Sequence, residues 1–262
     1  MKLKYINAGS FEMGDTFDEG KSDEKPVHTV HLPSFWLGKT EVTNAEYSKF
    51  LNEYGSEKVK SGEYAGQTMI EESSGSRNWD LKKTGNKWQP VSGYEKHPVI
   101  YVTWYGANEF CQYNGGSLPT EAQWEYAARE GGKKVRFGNG KDILDAKEAN
   151  FDGRKGHKQP YSVAGEYREK TTAVGSFAPN ALGLYDMSGN VWEWCADWYE
   201  ADFYASEKAK KPNPINNRDN YYRLIRGGCW FNNPYNCRAA YRGRLSPGLR
   251  YNYIGFRFAC NK

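Results

Sequence analysis

The carboxyl-terminal segment, residues 223–260, constrains the fold more than any other part of this chain. Two kinds of residue alternate in it. The residues that look architectural are Arg226, Gly227, Gly228, Trp230, Pro234, Arg238, Arg242, Arg244, Gly255, Phe256 and Arg257. The residues between them, called the display residues below, are Phe231, Asn232, Tyr235, Asn236, Gly243, Leu245, Ser246, Leu249, Tyr251, Asn252 and Tyr253. This pattern is too irregular for an amphipathic helix or a simple strand. It predicts a rigid loop frame that presents contact residues, and therefore a binding face before a catalytic centre.

Composition predicts a loop-rich protein with a core built from rings. The chain has 262 residues, of which 38% are hydrophobic and 16% aromatic, with 20 Tyr, 9 Trp, 28 Gly and 11 Pro. Aromatic rings fill a core with few residues and keep polar tips available. The net charge is +4 and the charges are mixed along the chain. The longest basic cluster, at Lys208, Lys210 and Lys211, is too short for a nucleic-acid-binding arm and predicts a solvated loop.

Other classes of protein find little support in the sequence. No stretch approaches the ~20 apolar residues of a membrane span. The amino terminus, MKLKYINAGSFEMG, lacks the apolar region of a secretory signal. The chain has 5 cysteines and no CxxC motif, so free buried thiols are the default expectation and one disulfide remains open.

Periodicity and capping residues place the main elements of a single domain. Residues 1–14 predict a first strand, 27–43 a strand pair, and 97–104 an apolar strand. Helices are predicted after Thr43 or Asn44, over 105–115, and after Thr120, because threonine and asparagine can cap a helix and glycine can end one. The segment 73–93 predicts an insertion with a short hairpin. The aromatic run Trp192, Trp194 and Trp198 predicts a core strand rather than a sugar-binding platform.

Six separated motifs resemble one protein family. They are GSFEMG (9–14), LGKTEVTNAEYSKFL (37–51), HPVIYVTWYGANEFC (97–111), SLPTEAQWEYAAR (117–129), GLYDMSGNVWEW (183–194) and RLIRGGCW with CRAAYR and GFRFA (223–259). In order and over nearly the whole chain, they resemble the formylglycine-generating-enzyme, or sulfatase-modifying-factor, family. The resemblance implies an α+β, C-type lectin fold with two helices, small antiparallel sheets and many long loops. It implies one domain over 1–262, with a variable region at about 226–257.

The terminal segment resembles one subgroup more closely, the variable proteins of diversity-generating retroelements. In that subgroup, adenines of Asn codons are replaced at random. Randomising AAC or AAT codons never yields Lys, Glu, Gln, Met or Trp, and none of these occurs at the display residues. The resemblance implies a lipid-anchored protein of the cell surface, whose leader lies outside this sequence. It also implies a non-catalytic function: the display residues contact an unknown ligand, which we expect to be a protein.

The alternative from another class is a copper-dependent oxidase that generates formylglycine from a peptide cysteine. The resemblance places a copper-binding cysteine pair at positions 232 and 237, and here these are Asn232 and Cys237. Soft thiolates select Cu(I), and one thiolate cannot form a two-sulfur site. Cys229 occupies a framework position and is expected to point elsewhere. We therefore expect Cys237 to be a small buried apolar residue.

Other metal and catalytic sites are weaker candidates. The chain has 4 histidines, too few and too scattered for a facial iron site. His28 and His31 lie three residues apart in a predicted strand, so they should face opposite sides. The sequence contains no Ser-His-Asp signature, phosphate loop or GxGxxG. No cofactor is required by this reading.

Calcium is possible, because relatives often hold it through Asn, Asp and backbone oxygens. The resemblance places such contacts at Asn150, Asn180, Gly183 and Tyr185. The alternative at Asn180 is that its side chain completes a turn after Pro179.

Overall fold

The computed structural model describes residues 1–71 and 80–261, and within them it shows a mixed α+β chain. The helices are α1 (Asn44–Tyr54), α2 (Trp104–Tyr113) and α3 (Glu121–Ala128). The strands are β1 (Leu3–Ile6), β2 (Gly9–Met13), β3 (His28–Leu32), β4 (Phe35–Gly38), β5 (Leu81–Thr84), β6 (Lys87–Pro90), β7 (Leu144–Asp145), β8 (Ser162–Val163), β9 (Trp192–Trp198), β10 (Arg223–Arg226), β11 (Gly243–Leu245), β12 (Ile254–Gly255) and β13 (Ala259–Cys260). The α+β class is thus confirmed, with three helices where the family resemblance implied two.

The helices begin where their capping residues predict. The Thr43 hydroxyl accepts from the backbone N–H of Glu46 at 3.2 Å, and the Glu46 carboxylate accepts from the Thr43 N–H at 3.0 Å. Gly55 ends α1 at φ 68°, a left-handed angle that glycine adopts at little cost. Thr120 and Gln123 form the same reciprocal pair at the start of α3. Because each pair satisfies two otherwise unbonded N–H groups, these short helices have defined starts.

A four-stranded sheet carries the terminal segment. Its order is β11-β10-β9-β12, with β12 parallel to β9 and the other pairs antiparallel. Strands β1, β4 and β13 form a second sheet, and β2-β3, β5-β6 and β7-β8 form separate pairs. Trp192, Trp194 and Trp198 of β9 are buried, as expected of a core strand. The terminal segment is therefore held through three strands against the centre of the molecule.

Two strand predictions differ from the structure. Residues 1–14 contain two strands, β1 and β2, instead of one. Residues 97–104 form no strand, although Val99 and Ile100 are buried. Tyr101 adopts φ 56°, which breaks extended backbone, and among the described residues this segment pairs through isolated bridges instead of a ladder. The predicted hairpin is present as β5 and β6, while residues 72–79 of the predicted insertion lie outside the described part.

Candidate functional site: the frame and cleft of the terminal segment

The turn after β10 depends on its two glycines. Gly227 and Gly228 adopt φ 96° and 74°, in the left-handed region. A Cβ atom at position 228 would lie 2.7 Å from the Sγ of Cys237. The backbone therefore reverses direction here against the short 3-10 helix Pro234–Cys237, and a larger residue would force the two apart.

Buried arginines fix the segment that follows. The Arg226 guanidinium bonds Glu121 at 3.1 Å and Glu125 at 2.5 Å, and it also donates to the carbonyl oxygens of Ala239 and Ala240. Burial alone would lower the pKa of Arg226, but the two carboxylates raise it well above its usual value. The guanidinium is therefore charged and links α3 to the backbone of the terminal segment.

Three further arginines connect the terminal segment to distant parts of the chain. Arg238 donates to both oxygens of Glu24, at 2.8 and 2.9 Å. The other two pairs are Arg242 with Glu121, at 2.8 and 3.1 Å, and Arg257 with Glu193, at 2.5 and 2.6 Å. All of these side chains are buried. Bidentate geometry fixes the position of each backbone segment as well as neutralising the charges.

Arg244 does not belong to this buried frame, contrary to the sequence prediction. Its side chain is exposed, and its guanidinium carbon lies 4.6 Å from the ring centroid of Tyr199 and 5.6 Å from that of Tyr222. In β11 it alternates with Gly243 and Leu245, so the strand period turns it away from the core. Arg250 is a surface residue that pairs with Glu71.

The display residues occupy a different environment from the frame. None of them is buried: Leu249 and Tyr251 are exposed by 42% and 37%, and the others are half-buried. By contrast, all the residues that the sequence predicted to be architectural are buried, with the exception of Arg244. Phe231, Tyr235 and Leu245 also contact the main apolar core on one side. These three side chains therefore pack against the core on one side and are accessible to solvent on the other.

Aromatic display residues form a continuous row. The rings of Tyr251 and Tyr253 are stacked, with centroids 5.0 Å apart and planes 4° apart. Phe231 meets Tyr253 edge to face at 4.9 Å and Trp230 at 5.0 Å. Burial raises the pKa of Tyr253 to about 12, so its hydroxyl is protonated at neutral pH. The row offers apolar area and neutral hydroxyl groups to a ligand.

A cleft of about 840 Å³ lies along this surface. The display residues in its lining are Phe231, Asn232, Asn236, Gly243, Leu245 and Tyr253. Much of the remaining lining of the cleft is formed by four other residues, Lys21, Asp23, Tyr199 and Tyr241. Sequence reasoning missed these four, because Lys21 and Tyr241 are 220 positions apart and no local pattern joins them.

The region of the predicted copper position contains Cys229, Asn232 and Cys237. Cys237 is fully buried, and burial raises the pKa of its thiol far above the usual range. The Asn232 Oδ1 accepts from the Cys229 N–H at 3.1 Å and lies 3.1 Å from the Cys229 Sγ. All five cysteines are free thiols. A carboxamide therefore stands where the family resemblance placed the second thiolate.

Some of the oxygens at the four predicted calcium contacts already accept hydrogen bonds within the chain. The Oδ1 of Asn180 accepts from the N–H groups of Leu182 and Leu184, at 3.1 and 3.2 Å, so this side chain completes a turn. The Tyr185 carbonyl accepts from Arg257, a cation, at 3.1 Å. Gly183 donates its N–H within the same turn. Among these four residues, the Oδ1 of Asn150 is a buried side-chain oxygen without a hydrogen-bond partner in the described part of the chain.

His28, His31 and His97 occupy different environments. His28 is buried and His31 exposed, so they face opposite sides of β3 as predicted. His97 bonds Thr171 at 2.8 Å, and burial lowers its pKa to about 4. Within the described ranges, no cluster of three or more His, Cys, Asp or Glu side chains could hold a metal ion. No helix among the same residues is long and apolar enough to cross a membrane.

Fold and site together define an α+β protein in which a buried arginine frame supports a surface cleft. Residues 2–262 match the sulfatase-modifying factor enzyme 1-like domain, and the chain belongs to this family. The family includes enzymes: the formylglycine-generating enzyme of Streptomyces coelicolor is 31% identical over 97% of this chain and 87% of its own length. It also includes a Bos taurus protein named as inactive C-alpha-formylglycine-generating enzyme 2, 27% identical over 99% of this chain and 88% of its own length.

A further relative is much longer than this chain. Serine/threonine-protein kinase Pkn1 of Chlamydia trachomatis is 37% identical over 98% of this chain, which spans 38% of that kinase.

Solved structures give the same fold. PvdO from Pseudomonas aeruginosa is 27% identical with a TM-score of 0.72, over 98% of this chain and 93% of that one. Treponema denticola variable protein 1 is 23% identical with a TM-score of 0.67, over 99% and 95%. At that identity, the likeness to the Treponema protein concerns the fold alone.

Proposed function

We propose that this chain is a non-catalytic binding protein that presents exchangeable side chains on a rigid frame to a protein ligand. The observation that carries the proposal is the division of the terminal segment by burial. Gly227, Gly228 and Gly255 are buried, and most of the arginines are buried and bonded to distant elements, whereas no display residue is buried. A side chain with a free face can change without disturbing the core, because surface substitutions usually alter stability little.

The chemistry of the display residues suits binding. Tyr and Phe give large contact areas at low entropic cost, and Asn and Ser give adaptable hydrogen bonds. The cleft volume of about 840 Å³ lies within the usual range of ligand sites. Such a cleft accommodates a loop or a few side chains of a protein partner.

The origin of the variation belongs to the same proposal. We place the chain among the proteins diversified by retroelements, since every display residue is compatible with randomised adenines in Asn codons. We also place it at the cell surface, attached through a lipid on a leader. The genomic test is the flank of the gene. It should hold an adenine-rich, near-identical copy of the codons for 226–257 beside a reverse transcriptase gene; an intact locus without either contradicts this origin.

The direct test is a pair of matched libraries. In the first, the display residues are randomised with codons that vary the adenines of AAC. In the second, the same codons replace an equal number of buried framework residues, including Arg226, Arg238 and Arg257. Both libraries are displayed on yeast and sorted for resistance to protease.

We expect most display-residue clones to resist protease and almost no framework clones to do so. The physical reason is that framework changes leave buried carboxylates without partners, whereas most display changes alter side chains that keep an accessible face. Gly243 is the exception, because a Cβ atom there would lie 2.7 Å from the Cγ1 of Ile225, so we expect folded clones to retain glycine at this position. Equal loss of folded clones in the two libraries would refute the proposal, because the display residues would then be part of the core.

A copper-dependent oxidase is the competing function, favoured by the enzymes in the family and by the presence of Cys237. Titration with Cu(I), combined with oxygen consumption on a cysteine peptide, separates the two functions. We expect no stoichiometric copper binding, since Asn232 supplies no thiolate. Tight binding that is lost in Cys237→Ser, together with oxygen consumption, would favour the oxidase.

A further inference from the structure

Part of the cleft lining is charged and lies outside the display residues. Lys21 and Asp23 come from the loop before β3, and Arg244 comes from β11. These residues face the same space as Phe231 and Tyr253. The cleft therefore combines display residues, which we propose to be exchangeable, with charged residues that lie outside the exchangeable set.

The two cations have aromatic neighbours but no carboxylate partner among the described residues. The Lys21 ammonium lies 4.1 Å from the ring centroid of Tyr241 and donates to its hydroxyl. The Arg244 guanidinium carbon lies 4.6 Å from the ring centroid of Tyr199. Contact with a ring orients a cation without neutralising it. Both charges therefore remain available to a ligand.

The other charged residues of the lining do not cancel these two. Arg242 is already paired with Glu121 through two hydrogen bonds. Asp23 holds the Tyr199 hydroxyl at 2.7 Å through its Oδ2, while its Oδ1 is buried and has no hydrogen-bond partner among the described residues. The cleft thus offers a ligand two cations that have no carboxylate partner among the described residues, whereas both oxygens of Asp23 are bonded or buried.

We infer that the cleft binds an acidic segment of the protein ligand, with carboxylates held by Lys21 and Arg244. This inference rests on the proposed function and makes it more specific. The display residues would set the shape of the bound segment, whereas the fixed cations would set its charge. Opposite charges that meet across an interface select partners and speed their encounter.

The test uses the full chain and a phage library of short random peptides. Peptides are selected against the native protein and against Lys21→Gln/Arg244→Gln. A matched control, Lys208→Gln/Lys211→Gln, removes two exposed lysines that do not line the cleft. The best peptide and a twin with Asn and Gln in place of Asp and Glu are then measured by fluorescence polarisation at low and high salt.

We expect Asp or Glu to be enriched in peptides selected on the native chain, and the acidic peptide to bind about tenfold more tightly than its amide twin. That preference should persist in the lysine control, fall at high salt and vanish in Lys21→Gln/Arg244→Gln. Selected peptides without acidic enrichment, or an acidic preference that survives in the cleft variant, would overturn this inference while leaving the display function standing. Recovery of no peptide would overturn it as well. Failure of most display-library clones to resist protease would instead overturn the proposed binding function on which this inference rests.

Discussion

Replacing Arg238 with methionine tests the buried frame most directly. Arg238 forms two hydrogen bonds with Glu24, and both side chains are almost fully buried, at 2% and 0% exposed. Methionine fills much of the space but leaves the Glu24 carboxylate without a cation. Two charge-assisted bonds at roughly 1.5–3 kcal/mol each, and the known cost of breaking a buried pair, agree on a loss of about 3–5 kcal/mol.

The assay is thermal unfolding followed by tryptophan fluorescence, with urea unfolding as a second measurement. For a chain of this size, about 1 kcal/mol lowers Tm by roughly 2–4 °C, so we expect a decrease of roughly 6–20 °C. The double variant Glu24→Leu/Arg238→Met removes both charges and should recover a large part of the loss. This recovery distinguishes an unpaired carboxylate from a simple packing defect.

A loss below about 1 kcal/mol for Arg238→Met would refute the reasoning, because the pair would then behave like an exposed ion pair. If the double variant recovers no stability, the explanation by an unpaired carboxylate is also refuted, because the lost free energy of unfolding would then come from lost packing.

The remaining predictions concern single positions. Tyr251→Ala, at a residue 37% exposed, should change the free energy of unfolding by less than about 0.5 kcal/mol, and a loss comparable to that of Arg238→Met would contradict its assignment to the display residues. Gly228→Ala should destabilise the chain by at least about 1 kcal/mol in urea unfolding, because its φ is positive and its Cβ would collide with Cys237; an unchanged midpoint would argue against this backbone geometry. Burial raises the pKa of Asp186 to about 6 from an ordinary 3.8, so its contribution to stability is lost as pH rises from about 4 to 6. Asp186→Asn should remove that part of the slope of Tm against pH, and a slope unchanged between the two proteins would contradict the shift.

The sequence by itself determined the local structure and the division of the terminal segment. Thr43 and Thr120 marked helix starts, because a cap requires only a hydroxyl and an N–H three residues later. The alternation of Gly and Arg with the display residues separated most buried positions of the terminal segment from the accessible ones, with Arg244 as the exception.

Only the tertiary structure decided which partners the arginines find and what else lines the cleft. Glu24 meets Arg238 across 214 positions, and Lys21 meets Tyr241 across 220, so no periodicity could join them. The same limit explains the error at Tyr101, where the backbone direction follows from long-range packing that a local pattern does not contain. At Arg244 the side chain points away from the core because it alternates with Gly243 and Leu245 in β11, a strand that forms by pairing with β10.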